Sequence, residues 1–159
     1  MTAETPCADA EKARITALSC LARRDFSTAE LRDKLRAKAF DEAVVVALLA
    51  ALTREGILSD ERYAQNYVAY HAGRGRGPIR IAADLRRRGL AAQLIDAALS
   101  GGPDWRALAL KVSRAKFGPR PPGSWALKAR QARFLLYRGF AADQVRAATG
   151  ADPEMTEET

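Results

Sequence analysis

Two cysteines, a single histidine and a glycine-rich run are the residues of this 159-residue chain whose types invite a chemical reading. Cys7, Cys20 and His71 are candidate zinc ligands, but a closed site needs four convergent ligands and this spacing matches no recognised set. Cys20 has no histidine in a recognisable relation to it and Ser19 sits in no elbow motif, so neither is expected as an activated nucleophile. Gly73 to Pro78 (GRGRGP) raises a nucleotide loop. No strand precedes it, Arg80 stands where G-x-G-x-x-G requires its last glycine, and no glycine-lysine-serine or threonine ending follows. The run reads instead as a flexible basic loop, a hinge or a contact for phosphates or carboxylates. Asp25, Asp41, Asp60 and Asp104 occupy cap or exposed positions rather than a sheltered pair for acid-base or metal chemistry. These residues predict no enzyme, no metal and no cofactor, and small helical units are expected to offer little concave apolar space for a substrate. Binding is what remains.

Charge says what kind of binding. The formal charge is +7, but Asp152, Glu154, Glu157 and Glu158 lie in the last nine residues, so the net charge of the first 150 is four units more positive than that of the whole chain. No acid occurs between Asp104 and Asp143, where Arg106, Lys111, Arg114, Lys116, Arg120, Lys128, Arg130, Arg133 and Arg138 fall. Such a field attracts nucleic acid or an acidic protein surface and speeds encounter with either. The longest apolar run, Ala43 to Leu52, has ten residues, about half of what a bilayer-spanning helix needs. The acidic start, with Glu4, Asp9 and Glu11, lacks the basic and apolar regions of a signal peptide. There is no disulfide framework. A cytoplasmic monomer is expected, the monomer through self-repulsion of its basic surface.

The elements that carry these residues repeat. Leu35, Leu85 and Leu135 recur at a spacing of 50, as do Phe40, Leu90 and Phe140, and Val45, Ile95 and Val145. Three blocks of this kind predict a tandem array of small helical units whose neighbours lean on each other. The units read as residues 11–58, 59–102 and 103–150, between a flexible head at 1–10 and a flexible acidic tail at 151–159. In the first, Ala13, Leu18 and Leu21 mark a helical face. Ser27 to Glu30 form a capping box, Phe26 and Leu31 a hydrophobic staple. Leu31 and Leu35 face inward, Phe40 plugs the end, and Val45, Leu48, Leu49 and Leu52 follow an amphipathic rhythm after Asp41.

In the second unit, Ser59 or Asp60 caps a helix bearing Tyr63 and Tyr67. Pro78 opens the next, and Ile81, Leu85, Leu90 and Ile95 repeat the apolar register. In the third, Asp104 and Ser124 cap helices either side of a non-helical connector, Pro119 to Gly123, with Leu127, Phe134, Leu135, Phe140 and Val145 inward. Ala39, Gly89 and Gly139 precede the three plugs, where a left-handed turn suits glycine and strains alanine. Arg88-Gly89 and Arg138-Gly139 read as helix ends with a complementary arginine. The fold class is all-α, three helices to a unit.

Such units resemble helix-turn-helix modules, but their third helices are poor readers of bases: Val44 to Leu52 is apolar, and Ala91 to Ser100 offers little beyond Gln93 and Asp96. The positive charge lies instead on second helices and connectors: Arg32, Lys34, Arg36 and Lys38; Arg80, Arg86, Arg87 and Arg88; Lys128, Arg130, Arg133 and Arg138. That ridge suits repeated phosphates or acidic patches along a filament.

From Glu55 to Leu90 (EGILSDERYAQNYVAYHAGRGRGPIRIAADLRRRGL) the chain resembles the signature of the RecX regulatory proteins, bacterial modulators of the RecA recombinase. The likeness rests on Gly56-Ile57-Leu58 with Asp60 to Ala64, on Arg74 to Pro78, and on Ile81, Asp84-Leu85 and Arg88-Gly89-Leu90. Ala17-Leu18, Leu21 to Arg24 and Ser27 to Leu35 resemble the family's first repeat. Lys116-Phe117-Gly118, Arg133-Phe134-Leu135 and Arg138-Gly139-Phe140 resemble its third. The chain departs from the pattern at His71, Asp84 and the connector. The resemblance implies an elongated, curved array of three three-helix repeats lying in the groove of the RecA filament on single-stranded DNA. It further implies limited filament extension, lowered ATPase and strand exchange, a place in DNA repair, recombination and the SOS response, and weak direct contact with single- or double-stranded DNA. On this reading Arg74, Arg76, Arg80, Arg86, Arg87 and Arg88 contact carboxylates or phosphates, and Lys128, Arg130 and Arg133 provide a second anchor. The alternative is a stand-alone helical DNA-binding protein.

Overall fold

The computed structural model describes residues 6–151. Nine helices fill this span: α1 (Pro6–Arg23), α2 (Thr28–Ala37), α3 (Glu42–Arg54), α4 (Asp60–Gly73), α5 (Pro78–Arg87), α6 (Ala92–Ser100), α7 (Trp105–Phe117), α8 (Trp125–Arg138) and α9 (Ala142–Thr149). Of the expected flexible tail at 151–159, Ala151 is instead buried in the third core; the rest, and the first five residues of the expected head, lie outside the described residues. Residues 6–10 depart from that head: they already belong to α1, which has a proline in its first turn and Asp9 close behind to complement the dipole. No helix among the described residues is long and apolar enough to cross a membrane.

Local chemistry starts the helices where it should. Ser27 closes its capping box with Glu30, Ser59 accepts from the Arg62 amide, Asp104 from Arg106 and Ala107, and Ser124 from Leu127. Asp41 sits at the N-cap of α3 but makes no capping bond. Asp60 does not cap its own helix; its Oδ1 accepts the backbone N–H of Thr28 at 2.7 Å, which ties the first unit to the second.

Every strongly packed helix pair lies within one unit, so the described residues form three three-helix bundles in series. Leu31, Leu35 and Val45 are fully buried in the first, Ile81, Leu85 and Ile95 in the second, and Leu135 and Val145 in the third, with Tyr63, Leu90 and Phe140 also buried. Phe40 and Tyr67 are only half-buried at the edges of their clusters. Leu18 (37% exposed) and Leu127 (46%) turn outward, and Phe134 is half-buried. On α1 and α8 the buried stripe is instead carried by small residues, Ala13 and Ala17, and Ala129 and Ala132. The third core also contains an unanticipated polar pair. Where the earlier units place Ala13 with Leu31 and Tyr63 with Ile81, it has buried Ser113 and Gln131, the hydroxyl donating to Gln131 Oε1 at 3.4 Å.

The second helices of the three units meet end to end. The backbone N–H groups of Gly77 and Ile79, at the start of α5, donate to the carbonyls of Arg138 and Gly139, at the end of α8, each at 2.9 Å. Ser27 Oγ, at the start of α2, donates to the Arg88 carbonyl at the end of α5 at 2.7 Å. Orphan groups of one helix thus satisfy those of the next, and opposite dipole ends face each other. Gly89 (φ +80) and Gly139 (φ +95) adopt the left-handed turn, and their missing side chains make room. A Cβ on Gly89 would lie 2.4 Å from that of Ala29, and one on Gly139 2.4 Å from that of Arg80. The arginine-glycine pairs are therefore both helix ends and joints, and Gly73 to Pro78 is a packed turn with Gly75 and Gly77 buried, rather than a flexible loop.

Ala39 is the third member of this series and takes the same turn, φ +64, with a side chain. It is exposed and joins nothing among the described residues. Ala39→Gly should therefore raise stability by about 0.5–1 kcal/mol, since left-handed alanine costs more than the added freedom of glycine in the unfolded chain. A thermal melt showing no gain would place the cost elsewhere.

Candidate functional site

The end-to-end spine α8–α5–α2 arranges the basic residues. Arg130 and Arg133 are exposed on α8, and Arg86 and Arg87 on α5, with Arg80 half-buried where the two helices meet. Arg80 lies over the ring of Tyr137, 5.9 Å from its centroid, and Arg130 over Phe117 at 5.7 Å. Arg80 and Arg130 are equivalent at the 50-residue offset, whereas the first unit has Glu30 there. Lys128 is half-buried at the start of α8 and sits beside Gly150. Arg36 in the first unit is neutralised by Glu42, its Nε donating at 2.8 Å. The positive ridge is thus concentrated on units two and three.

Its centre is a polar cleft of about 400 Å³ lined by Arg76, Arg80, Arg87, Arg88, Tyr67 and Asp84. Asp84 holds two of the arginines in place: Oδ1 pairs with Arg87, while Oδ2 faces Arg76 at 3.4 Å and accepts from Tyr67 at 3.3 Å. Arg74 stands outside, donating to Tyr70 Oη at 3.0 Å across an exposed edge. Arg86 is exposed and forms no ion pair among the described residues. The sequence grouped Arg88 with these contacts, but its guanidinium is committed internally. It donates to Glu30 Oε1 at 2.7 Å and Tyr63 Oη at 3.2 Å, and lies 5.1 Å from the Tyr67 ring centroid. Burial opposes its charge, yet Tyr63, Tyr67 and Glu30 outweigh that and hold its pKa above the ordinary value. With Arg88 paired to Glu30, the guanidinium groups of Arg76, Arg80 and Arg87 against the one carboxylate of Asp84 leave a net positive site for an anion.

His71 borders this region, packed on Tyr67 at 4.1 Å and edge-on to Tyr70 at 5.0 Å between ring centroids. Desolvation first, then Arg76, Arg88 and Arg74, push its pKa below the ordinary 6.5 despite the opposing pull of Asp84, so the fold favours neutral imidazole. A depressed histidine contributes stability that is present above the unfolded pKa and lost as pH falls from 6.5 through the folded value. Melting temperature should therefore drop as the pH is lowered from about 7 to 5, and His71→Gln should blunt that drop. Equal pH dependence in both proteins would assign it to other groups.

No group of three or more histidine, cysteine, aspartate or glutamate side chains able to hold a metal occurs among the described residues. Cys7 and Cys20 are unpaired, the former exposed. Contrary to the expected lack of concave apolar space, an open groove of about 640 Å³ runs between α4, α6 and α7, lined by Val68, Ala72, Ala98, Gly102 and Leu108 among others. No ionisable residue lines it, so it offers shape without acid-base chemistry.

Three helical bundles in series, joined through their second helices and exposing basic side chains on α5 and α8, define a tandem-repeat scaffold. Family comparison assigns each bundle: residues 13–52 match the first three-helix domain of RecX, 59–99 the second and 104–149 the third. The regulatory protein RecX of Halorhodospira halophila is 43% identical over 148 residues, 92% of each chain. That of Pseudomonas fluorescens is 41% identical over 133 residues, 83% of this chain and 86% of the relative. The chain belongs to the RecX family of regulatory proteins. The fold agrees: the crystal structure of RecX from Lactobacillus salivarius superposes with a TM-score of 0.78 at 21% identity, over 88% of this chain and 94% of that one. A second crystal structure of regulatory protein RecX gives 0.73 at 23%, over 96% and 73%.

Proposed function

We propose that this protein binds the RecA nucleoprotein filament on single-stranded DNA, limits its extension and lowers its ATPase and strand-exchange activities, acting as a monomer in the cytoplasm. The observation that carries this reading is the basic ridge along α8 and α5, displayed by a serial scaffold of the RecX family. A ridge with positive groups on successive repeats is suited to a partner that is itself repetitive and anionic. The third helix of the second unit supports the same reading. α6 exposes Gln93 and Asp96 rather than arginines, a poor set for reading base edges in a groove.

The deciding experiment measures RecA ATPase on single-stranded DNA with this protein well below one copy per RecA, beside its affinity for bare DNA at low and moderate salt. Substoichiometric inhibition with weak, steeply salt-dependent binding to bare DNA is expected. Inhibition only once the DNA is saturated would favour the alternative, a stand-alone DNA-binding protein competing for the strand.

A further inference from the structure

The two joints between units are built from different chemistry. Units two and three share apolar packing: Trp105 and Leu108 of α7 touch both the second and the third core cluster. Trp105 Nε1 also donates to the Leu99 carbonyl at 3.1 Å. The connecting Gly102 is wedged so closely that a Cβ there would lie 3.1 Å from both Trp105 and Val68. With the backbone bonds from Gly77 and Ile79 to the end of α8, this joint contains no ion pair among the described residues.

Units one and two share no residue between their core clusters. Their joint is polar: Arg88 to Glu30 at 2.7 Å, the Thr28 amide to Asp60 at 2.7 Å, Asn66 to Asp25 at 3.3 Å, and Ser27 Oγ to the Arg88 carbonyl at 2.7 Å. Three of these four depend on a charged side chain, as do the bonds from the Arg62 guanidinium to the Gly56 and Ile57 carbonyls at 3.1 and 2.9 Å. Ala29 packs closely against Gly89 beside them. Apolar packing is not weakened by added salt, whereas the part-exposed Arg88–Glu30 ion pair is screened by it.

We propose that units two and three form one rigid body and that unit one is an arm held to it by an electrostatic latch centred on Glu30 and Arg88. The latch opens when its charges are screened or removed, and the arm then swings about the junction of Leu58 with Ser59, where the first core ends, while each bundle stays folded. This device is independent of what the basic ridge binds.

Single-molecule energy transfer tests it on the full chain with Cys7 and Cys20 replaced by serine. One dye pair spans the latch, at Val46→Cys and Ala126→Cys. A control pair lies within the rigid body, at Ala92→Cys and Ala126→Cys. All three dye positions are exposed. Between about 0.05 M and about 1 M sodium chloride, where the screening length falls to about 3 Å, the spanning pair should broaden roughly twofold in distance distribution while the control stays narrow. Glu30→Gln should give the broad distribution already at low salt, with unchanged far-ultraviolet circular dichroism. Glutamine still serves the capping box. The salt titration leaves the latch residues intact, so a folding defect in the variant does not decide the outcome. A spanning pair that stays narrow in high salt, or two pairs that broaden together, overturns the proposal.

Discussion

Arg86→Glu with Arg87→Glu is expected to weaken binding to the RecA filament by about a hundredfold, roughly 2–3 kcal/mol, while leaving the helical signal intact. Both side chains are exposed on α5, so neither carries core packing that the change could destroy. Each reversal removes an attraction and introduces a repulsion, and the second also takes from Asp84 one of its two arginine partners. Plots of log affinity against log salt should flatten as well, because fewer favourable charge contacts remain to be screened. Fluorescence anisotropy of labelled protein titrated with filament reads both quantities. Unchanged affinity in the double variant would remove the ridge from the interface.

The second large effect concerns folding. Gly77→Ala should lower stability by about 2–4 kcal/mol, because the new methyl would meet the backbone of the partner helix, which has no room to yield. Its Cβ would stand 2.2 Å from the Gly139 carbonyl carbon and 2.4 Å from the Phe140 nitrogen. Gly77 has an ordinary φ of −82, so the cost is collision alone. Gly56 supplies the opposite case, φ +72 with nothing within 4 Å of a Cβ, and Gly56→Ala should cost only about 1 kcal/mol from the turn itself. In a protein of this size the two should differ by several degrees in melting temperature, read by calorimetry. Equal melting of Gly77→Ala and the parent would mean that the joint between α8 and α5 is not closed in solution.

That joint is also where sequence reasoning ran short. The 50-residue register of Leu35, Leu85 and Leu135, and the caps at Ser27, Ser59, Asp104 and Ser124, were legible because periodicity and capping act within a few residues. Family membership was legible from the run between Glu55 and Leu90. The pairing of Gly77 with Gly139 was not, because it joins backbones about sixty residues apart and leaves no local pattern. Arg138-Gly139 looked complete as a helix end. The signal that could have exposed it was the coincidence, at one offset, of Ser27 with Gly77 and of Gly89 with Gly139. Arg88 was misplaced for a related reason: a run of three arginines looks uniform in a string, but one of them turns toward Glu30 and Tyr63 while two face solvent. On α8, Leu127 misled because an extra turn carries it past the buried stripe.

Ala39 and that extra turn, Trp125 to Leu127, stand at opposite extremities of the molecule and share one outcome. The first puts a methyl group where the other two joints tolerate only hydrogen, and the second fills the place at which a neighbour's glycine would have to sit. The two outer ends of the α8–α5–α2 spine thus lack the glycine fit that closes its two inner joints.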